Sequence, residues 1–193
     1  MTLLMSLFSS GDTILISSEE CGGHGSMPKI CHRLGINTIE MSYNYDIYDF
    51  NYKEINKILR KEKINGILIC LSDIIIMPRL NKIDLPEKCI LIFDATQILG
   101  LIATNNMKNP LQWFTDKQKF ILMGATHKTL PGPTCGLIMT NNLDLASQFD
   151  TLINPDYLRN SQLHHIFSLI LTLMELEIYG KQYCSSIVNN ANF

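Results

Sequence analysis

The chain has 193 residues, 46% hydrophobic and 18% charged, enough apolar side chain for a real core and too much for a disordered segment. Sixteen Lys and Arg stand against 18 Asp and Glu, a formal net charge of -2, so no global positive field recruits nucleic acid or anionic lipid. The late apolar stretch HIFSLILTLMELEIYG is broken by Ser168, Thr172, Glu175 and Glu177, too polar to span a bilayer, so no membrane partner is expected.

In chain order, MTLLMSLFSSGD has no basic residue ahead of its short apolar stretch and no cleavage signature, so a soluble, cytoplasmic protein is expected. DTILI (12–16) is the first apolar run of strand length, and Ser26 with Pro28 opens a helix that Gly35 stops. NTIEM (37–41) follows as a strand. Asn51 with Glu54 then forms a capping pair for a helix whose apolar stripe is Ile55, Ile58 and Leu59, ending near Lys63. Its basic residues Lys57, Arg60, Lys61 and Lys63 alternate with Glu54 and Glu62 and read as a solvated face.

GILICL (66–71), CILIFD (89–94), KFILMG (119–124) and CGLIMT (135–140) are the remaining strands. Runs this apolar, without strict alternation, belong to strands covered on both faces, which predicts an α/β fold with a mostly parallel sheet and flanking helices. The last two are joined too tightly for a parallel crossover and are expected to pair antiparallel. Asn142 caps LDLASQFDTLI, and from about Ser161 the residues Leu163, Ile166, Phe167, Ile170, Met174 and Ile178 recur at helical spacing. No linker, repeat or low-complexity tract divides the chain, so residues 1–193 are taken as one domain.

Six cysteines at 21, 31, 70, 89, 135 and 184 include no CxxC pair and read as thiols, mostly buried, not a disulfide frame. Cys21, His24, Cys31 and His32 fit no standard zinc spacing, and no metal is expected. In a doubly wound sheet the carboxyl ends of parallel strands line the ligand crevice. Asp94 ends one strand, Ser72 follows the one before it, and Lys128 follows the next.

The segment THKTLPGPTCGLIMT resembles the lysine segment of serine hydroxymethyltransferases, and GDTILISSEECGGHGS and FDATQILGLIA are similar to two further motifs of that family in the same order. The resemblance runs over nearly the whole chain, including the helical segment that begins LINPDYLRNSQLHHIF. It implies the large-domain core of a type I pyridoxal-phosphate enzyme, the aspartate aminotransferase-like fold, here incomplete. By resemblance Lys128 would hold the cofactor covalently, Asp94 would pair with its pyridine nitrogen, His24 would stack on its ring, and Ser72 would sit near its phenol oxygen. Gln97 and His127 would complete the cofactor pocket.

The resemblance starts at the Gly-Asp-Thr motif. The family's Ser-Gly-Ser phosphate cup and its C-terminal small domain, which carries the arginine that clamps the substrate carboxylate, have no counterpart among these residues. Gln97 replaces a family histidine, Thr134 replaces an arginine, and PDYLRNSQLH with Arg159 replaces a Gly-rich phosphate loop. Two functions are therefore expected. One is a pyridoxal-phosphate enzyme interconverting serine and glycine with tetrahydrofolate as co-substrate. The other is a non-catalytic remnant, or one subunit of a split enzyme, acting as an assembly module. Either way the chain is expected to expose apolar surface along its last helix and to pair with itself or with a complementing subunit.

Overall fold

The computed structural model describes residues 1–193 except Ile75, Arg159, Ser161 and Phe193, together with the side chains of Leu152, Asn154 and Pro155. In chain order the elements are α1 (Thr2–Leu7), β1 (Thr13–Ile16), α2 (Met27–Arg33), β2 (Asn37–Glu40), β3 (Tyr43–Asn44), β4 (Asp49–Phe50) and α3 (Tyr52–Lys61). They continue as β5 (Gly66–Cys70), β6 (Ile90–Asp94), α4 (Leu99–Ala103), β7 (Phe120–Ala125), β8 (Gly136–Met139), α5 (Leu143–Thr151) and α6 (Leu163–Ala191), with a π-helical turn at Leu152–Tyr157 after α5.

The six main strands form one sheet in the order β2-β1-β5-β6-β7-β8. All neighbours are parallel except β7 and β8, which pair antiparallel with Ala125 opposite Gly136. The six strand segments and the one antiparallel pair expected from the sequence are therefore present. All five residues of β5 and the first four of β6 are buried. Their side chains alternate between two faces. Leu15, Ile67, Ile69, Leu91 and Phe93 pack with Ile55 and Leu59 of α3, Leu101 and Ile102 of α4 and Cys184 of α6. Ile14, Ile16, Leu68, Ile90 and Ile92 pack on the opposite face with Leu3 and Leu4 of α1, Cys31 of α2, and Leu145 and Phe149 of α5. Each fully buried Ile, Leu or Phe contributes about 1.5–3 kcal/mol of transfer free energy.

Local signals fix the helix ends. Asn51 accepts from the Glu54 N–H at 3.4 Å and starts α3, while Asn142 accepts from the Leu145 N–H at 2.9 Å and starts α5. Gly35, at φ 72°, turns the chain after α2 as a residue without Cβ does at least cost. α3 ends at Lys61, half a turn before the expected Lys63. On its basic face Lys57 pairs with Glu54 at 3.2 Å and Arg60 with Asp84 at 2.6 Å.

Two features were not read from the sequence. α1 is helical and buries Leu3 and Leu4. β3 and β4 form a small antiparallel hairpin that carries an internal carboxylate. That carboxylate, Asp49, is 3% exposed and accepts from the Tyr52 hydroxyl at 2.6 Å and the Arg79 Nε at 2.6 Å. Burial, reinforced by this carboxylate, pushes the Tyr52 phenol up and keeps it a donor.

The last helix, α6, exposes apolar surface as expected. The helix occupies its expected place, and its inward side carries Thr172, Gly180 and Cys184. Gly180 lies so close to Thr104, after α4, that a Cβ there would sit 2.6 Å from the Thr104 Cγ2. The apolar stripe Leu163, Ile166, Phe167, Ile170, Met174 and Ile178 faces outward, with Phe167 66% and Ile178 72% exposed. Among the described residues no helix is long and apolar enough to cross a membrane. No cluster of three or more potential metal ligands occurs among them either. All six cysteines are free thiols, five buried and Cys135 partly so.

Candidate functional site at the carboxyl edge of the sheet

β1, β5 and β6 run parallel and deliver their carboxyl ends to the same edge of the sheet. Beyond β1 the chain turns at Gly22, with φ 82°, and is sewn onto the end of β5. The Ser72 N–H donates to the Gly22 carbonyl at 2.7 Å, the His24 N–H donates to the Cys70 carbonyl at 2.9 Å, and Gly23 bridges Leu71. A Cβ at Gly23 would lie 2.3 Å from the Ser18 carbonyl oxygen, so this close approach requires glycine. His24 and Ser72 are thereby carried on two loops held together by backbone.

His24 itself is exposed. Its Nδ1 accepts from the Ser26 N–H at 3.3 Å and faces the Ser26 hydroxyl at 2.7 Å. Accepting at Nδ1 leaves the proton of the neutral ring on Nε2. Ser26 was read from the sequence only as a helix start. Its position two residues after the histidine is the local signal for this second role.

Asp94, half-buried, ends β6 directly opposite Cys70 of β5 and Met123 of β7. Its Oδ1 accepts from the Thr96 N–H at 2.9 Å and from the Thr96 hydroxyl, and its Oδ2 accepts from the Cys70 thiol at 3.3 Å. The Thr96 hydroxyl oxygen in turn accepts from the Ala125 N–H at 3.0 Å, linking the carboxylate to the strand that leads to the lysine. Sequence reasoning passed over Cys70 and Thr96. An Asp followed two residues later by Thr is a recognisable local turn pattern, whereas the Cys70 contact depends on strand register.

Lys128 and His127 lie on the loop between β7 and β8 and are both exposed. The loop is closed at its base by Thr126, whose N–H donates to the Cys135 carbonyl at 2.9 Å and whose hydroxyl donates to the Pro133 carbonyl. It also docks on α4, where the Gly100 N–H donates to the Thr129 hydroxyl at 3.2 Å. Among the described residues no ion pair or hydrogen bond joins Lys128 to Asp94. Gln97 is half-buried just before α4, and Thr134 is exposed on the lysine loop. Arg159, in the segment that replaces the Gly-rich phosphate loop, lies outside the described residues.

The structure thus brings His24, Ser72 and Asp94 to adjoining strand ends and sets Lys128 on the loop that follows the neighbouring strand. Chemically this is a fixed carboxylate, an imidazole whose Nδ1 accepts from the Ser26 N–H, a hydroxyl, and a primary amine with no ion-pair partner among the described residues. Such a set suits a flat cationic heteroaromatic ring bearing an aldehyde. The carboxylate can hold a ring N–H, the imidazole offers a flat face, and the amine can attack the carbonyl carbon.

No family model matches the chain. It is 30% identical to the serine hydroxymethyltransferase of Sulfolobus acidocaldarius over 96% of this chain and 43% of that protein. It is 29% identical to the serine hydroxymethyltransferase of Staphylothermus marinus over 98% of this chain and 44% of that protein. An alpha-methylserine aldolase of a Ralstonia species is 26% identical over 94% of this chain and 42% of its own length. The chain therefore spans less than half the length of these curated relatives. Among solved structures, the L-threonine transaldolase of Pseudomonas fluorescens in its internal aldimine state superposes with a TM-score of 0.87 at 24% identity, covering 98% of this chain and 43% of that one.

Proposed function

We propose, from the premise that this chain is a homologue of the serine hydroxymethyltransferases with the sheet core of the type I pyridoxal-phosphate enzymes, that it binds pyridoxal phosphate at the carboxyl edge of β5, β6 and β7. The observation that carries this reading is the convergence of His24, Ser72 and the anchored Asp94 at adjoining strand ends, with Lys128 on the next loop. The donor set fits the cofactor ring. Asp94 would hold the proton at the ring nitrogen, His24 would cover one ring face, and Ser72 would donate to the phenol oxygen. Lys128 would hold the cofactor through its amine, with His127 and Gln97 shaping the pocket. Bound there, the cofactor would supply an electron sink for a carbanion at the substrate α carbon.

The three kinds of relative are named for serine, α-methylserine and threonine. These are amino acids with a hydroxyl on the β carbon, and we take that class as the substrate, with serine-to-glycine conversion as the leading case and tetrahydrofolate as its co-substrate. The test is a titration of the purified chain with pyridoxal phosphate. A visible absorption band saturating at one cofactor per chain is the expected result, and no band at saturating cofactor overturns the reading. Serine turnover followed with and without tetrahydrofolate then decides whether the folate is used.

A second role, as one partner in an assembly, is favoured by the outward apolar stripe of α6. Beside it a cleft of about 490 Å³ is lined by Cys135, Gly136, His165, Ile166, Leu169 and Ile170. An exposed apolar surface of this kind, unlike scattered single residues, marks an interaction face, and we assign it to a second copy of the chain or a complementing subunit. Sedimentation at rising concentration is expected to show self-association, weakened about ten-fold or more by the double change Phe167→Glu and Ile178→Glu. A strictly monomeric profile at high concentration would count against self-association.

A further inference from the structure

The geometry points to Cys70 as a positioning residue for Asp94, its thiol fixing the Oδ2 oxygen that the proposed site turns towards a protonated ring nitrogen. This rests on the pyridoxal-phosphate reading above and adds a residue to it. Cys70 and Asp94 stand directly opposite each other in the parallel register of β5 and β6, and their side chains meet at 3.3 Å with the thiol as donor.

The two carboxylate oxygens are used unequally. Oδ1 takes both Thr96 donors, whereas Oδ2 takes the Cys70 thiol and no other described protein donor. An ionised carboxylate oxygen can accept two hydrogen bonds. Oδ2 is therefore the oxygen with an acceptor position left for a ligand, and Cys70 is the group that shares it.

The thiol is suited to stay a donor. Burial first, and then the charge and hydrogen bonding of Asp94, push Cys70 up to about 12, so it keeps its proton throughout the neutral range. Cys70 is also joined to the histidine side of the site. Its carbonyl accepts from the His24 N–H at 2.9 Å, and its N–H donates to the Ser17 hydroxyl oxygen at 3.1 Å. One residue thus connects the His24 loop to the carboxylate, while Thr96 connects the same carboxylate to β7.

A cysteine that only filled space would act as a small hydrophobe. Serine would then substitute no better than alanine, since it adds a polar group to an apolar site. A positioning donor predicts the opposite order. The experiment has two arms.

The first arm uses the cofactor-free protein. The infrared S–H stretch of Cys70, identified by its loss in Cys70→Ala, is expected to move to higher wavenumber in Asp94→Asn, because a neutral amide is a weaker acceptor than a carboxylate. A band that stays in place overturns the inference. In the second arm pyridoxal phosphate is titrated into the parent, Cys70→Ala and Cys70→Ser. Cys70→Ala is expected to bind about three- to ten-fold more weakly with a displaced absorption maximum, while Cys70→Ser stays within about two-fold of the parent. Equal binding and an unmoved maximum in all three proteins, or equal impairment in both variants, overturns the inference. If the parent chain takes up no cofactor at all, the functional reading fails and the infrared arm alone decides the role of Cys70.

Discussion

Replacing Lys128 with alanine is expected to abolish the visible cofactor band and to reduce any turnover by about a thousand-fold or more. The fold should not change. The Lys128 side chain is exposed and has no ion-pair partner among the described residues, and surface substitutions of this kind usually stay within about 0.5 kcal/mol. Thermal unfolding of Lys128→Ala should therefore overlay that of the parent while absorption is lost. Persistence of the band would show that another amine holds the cofactor and would remove Lys128 from the site. A collapse in stability would instead assign the lysine a structural role that its exposure contradicts.

The second large effect is expected at a residue that touches no ligand. Gly100 lies against the lysine loop so closely that a Cβ there would sit 2.2 Å from the Thr129 carbonyl oxygen and 2.5 Å from its carbonyl carbon. These are backbone atoms, so no side-chain rotation relieves the clash. Gly100→Ala must move α4 away from the loop or the loop away from α4, and it weakens the Gly100 N–H to Thr129 hydroxyl bond of 3.2 Å. Overpacking of this kind costs about 1–3 kcal/mol. Because Thr129 is the next residue after Lys128, cofactor affinity should also fall while the core remains folded. Gly136→Ala serves as the control, since a Cβ at Gly136 meets nothing within 4 Å and should leave both quantities near the parent values. Equal behaviour of the two variants, by denaturant melts and cofactor titration, would show that the docking on α4 is unimportant.

The sheet was legible because its strands cover both faces with Ile and Leu, and a run such as Gly66–Cys70 has no other compact use. The antiparallel pairing of β8 was legible from the length of its connection alone. The hairpin of β3 and β4 was not, because its carboxylate Asp49 pairs with Arg79, thirty residues further along the chain. The apolar surface exposed along α6 was expected, but the small residues that pack in its place were not. Periodicity locates a stripe but does not say which stripe packs. Here the small residue Gly180 lets α6 approach the end of α4 closely, and the bulky stripe is left outside. At the site, the order of motifs carried His24, Asp94 and Lys128, since each lies in a recognisable segment. Cys70 and Thr96 escaped because their roles arise from the register of β5 on β6 and from a hydroxyl that bridges two strands.

Thr126 closes the loop that carries Lys128, its backbone meeting the Cys135 carbonyl and its hydroxyl the Pro133 carbonyl. The consequence is entropic. A lysine on an open loop would lose much of its backbone freedom only when a ligand arrived, at about 1–2 kcal/mol for each residue ordered. On a ring pinned at its base that loss is largely incurred when the chain folds, so more of the interaction with a ligand is retained as affinity.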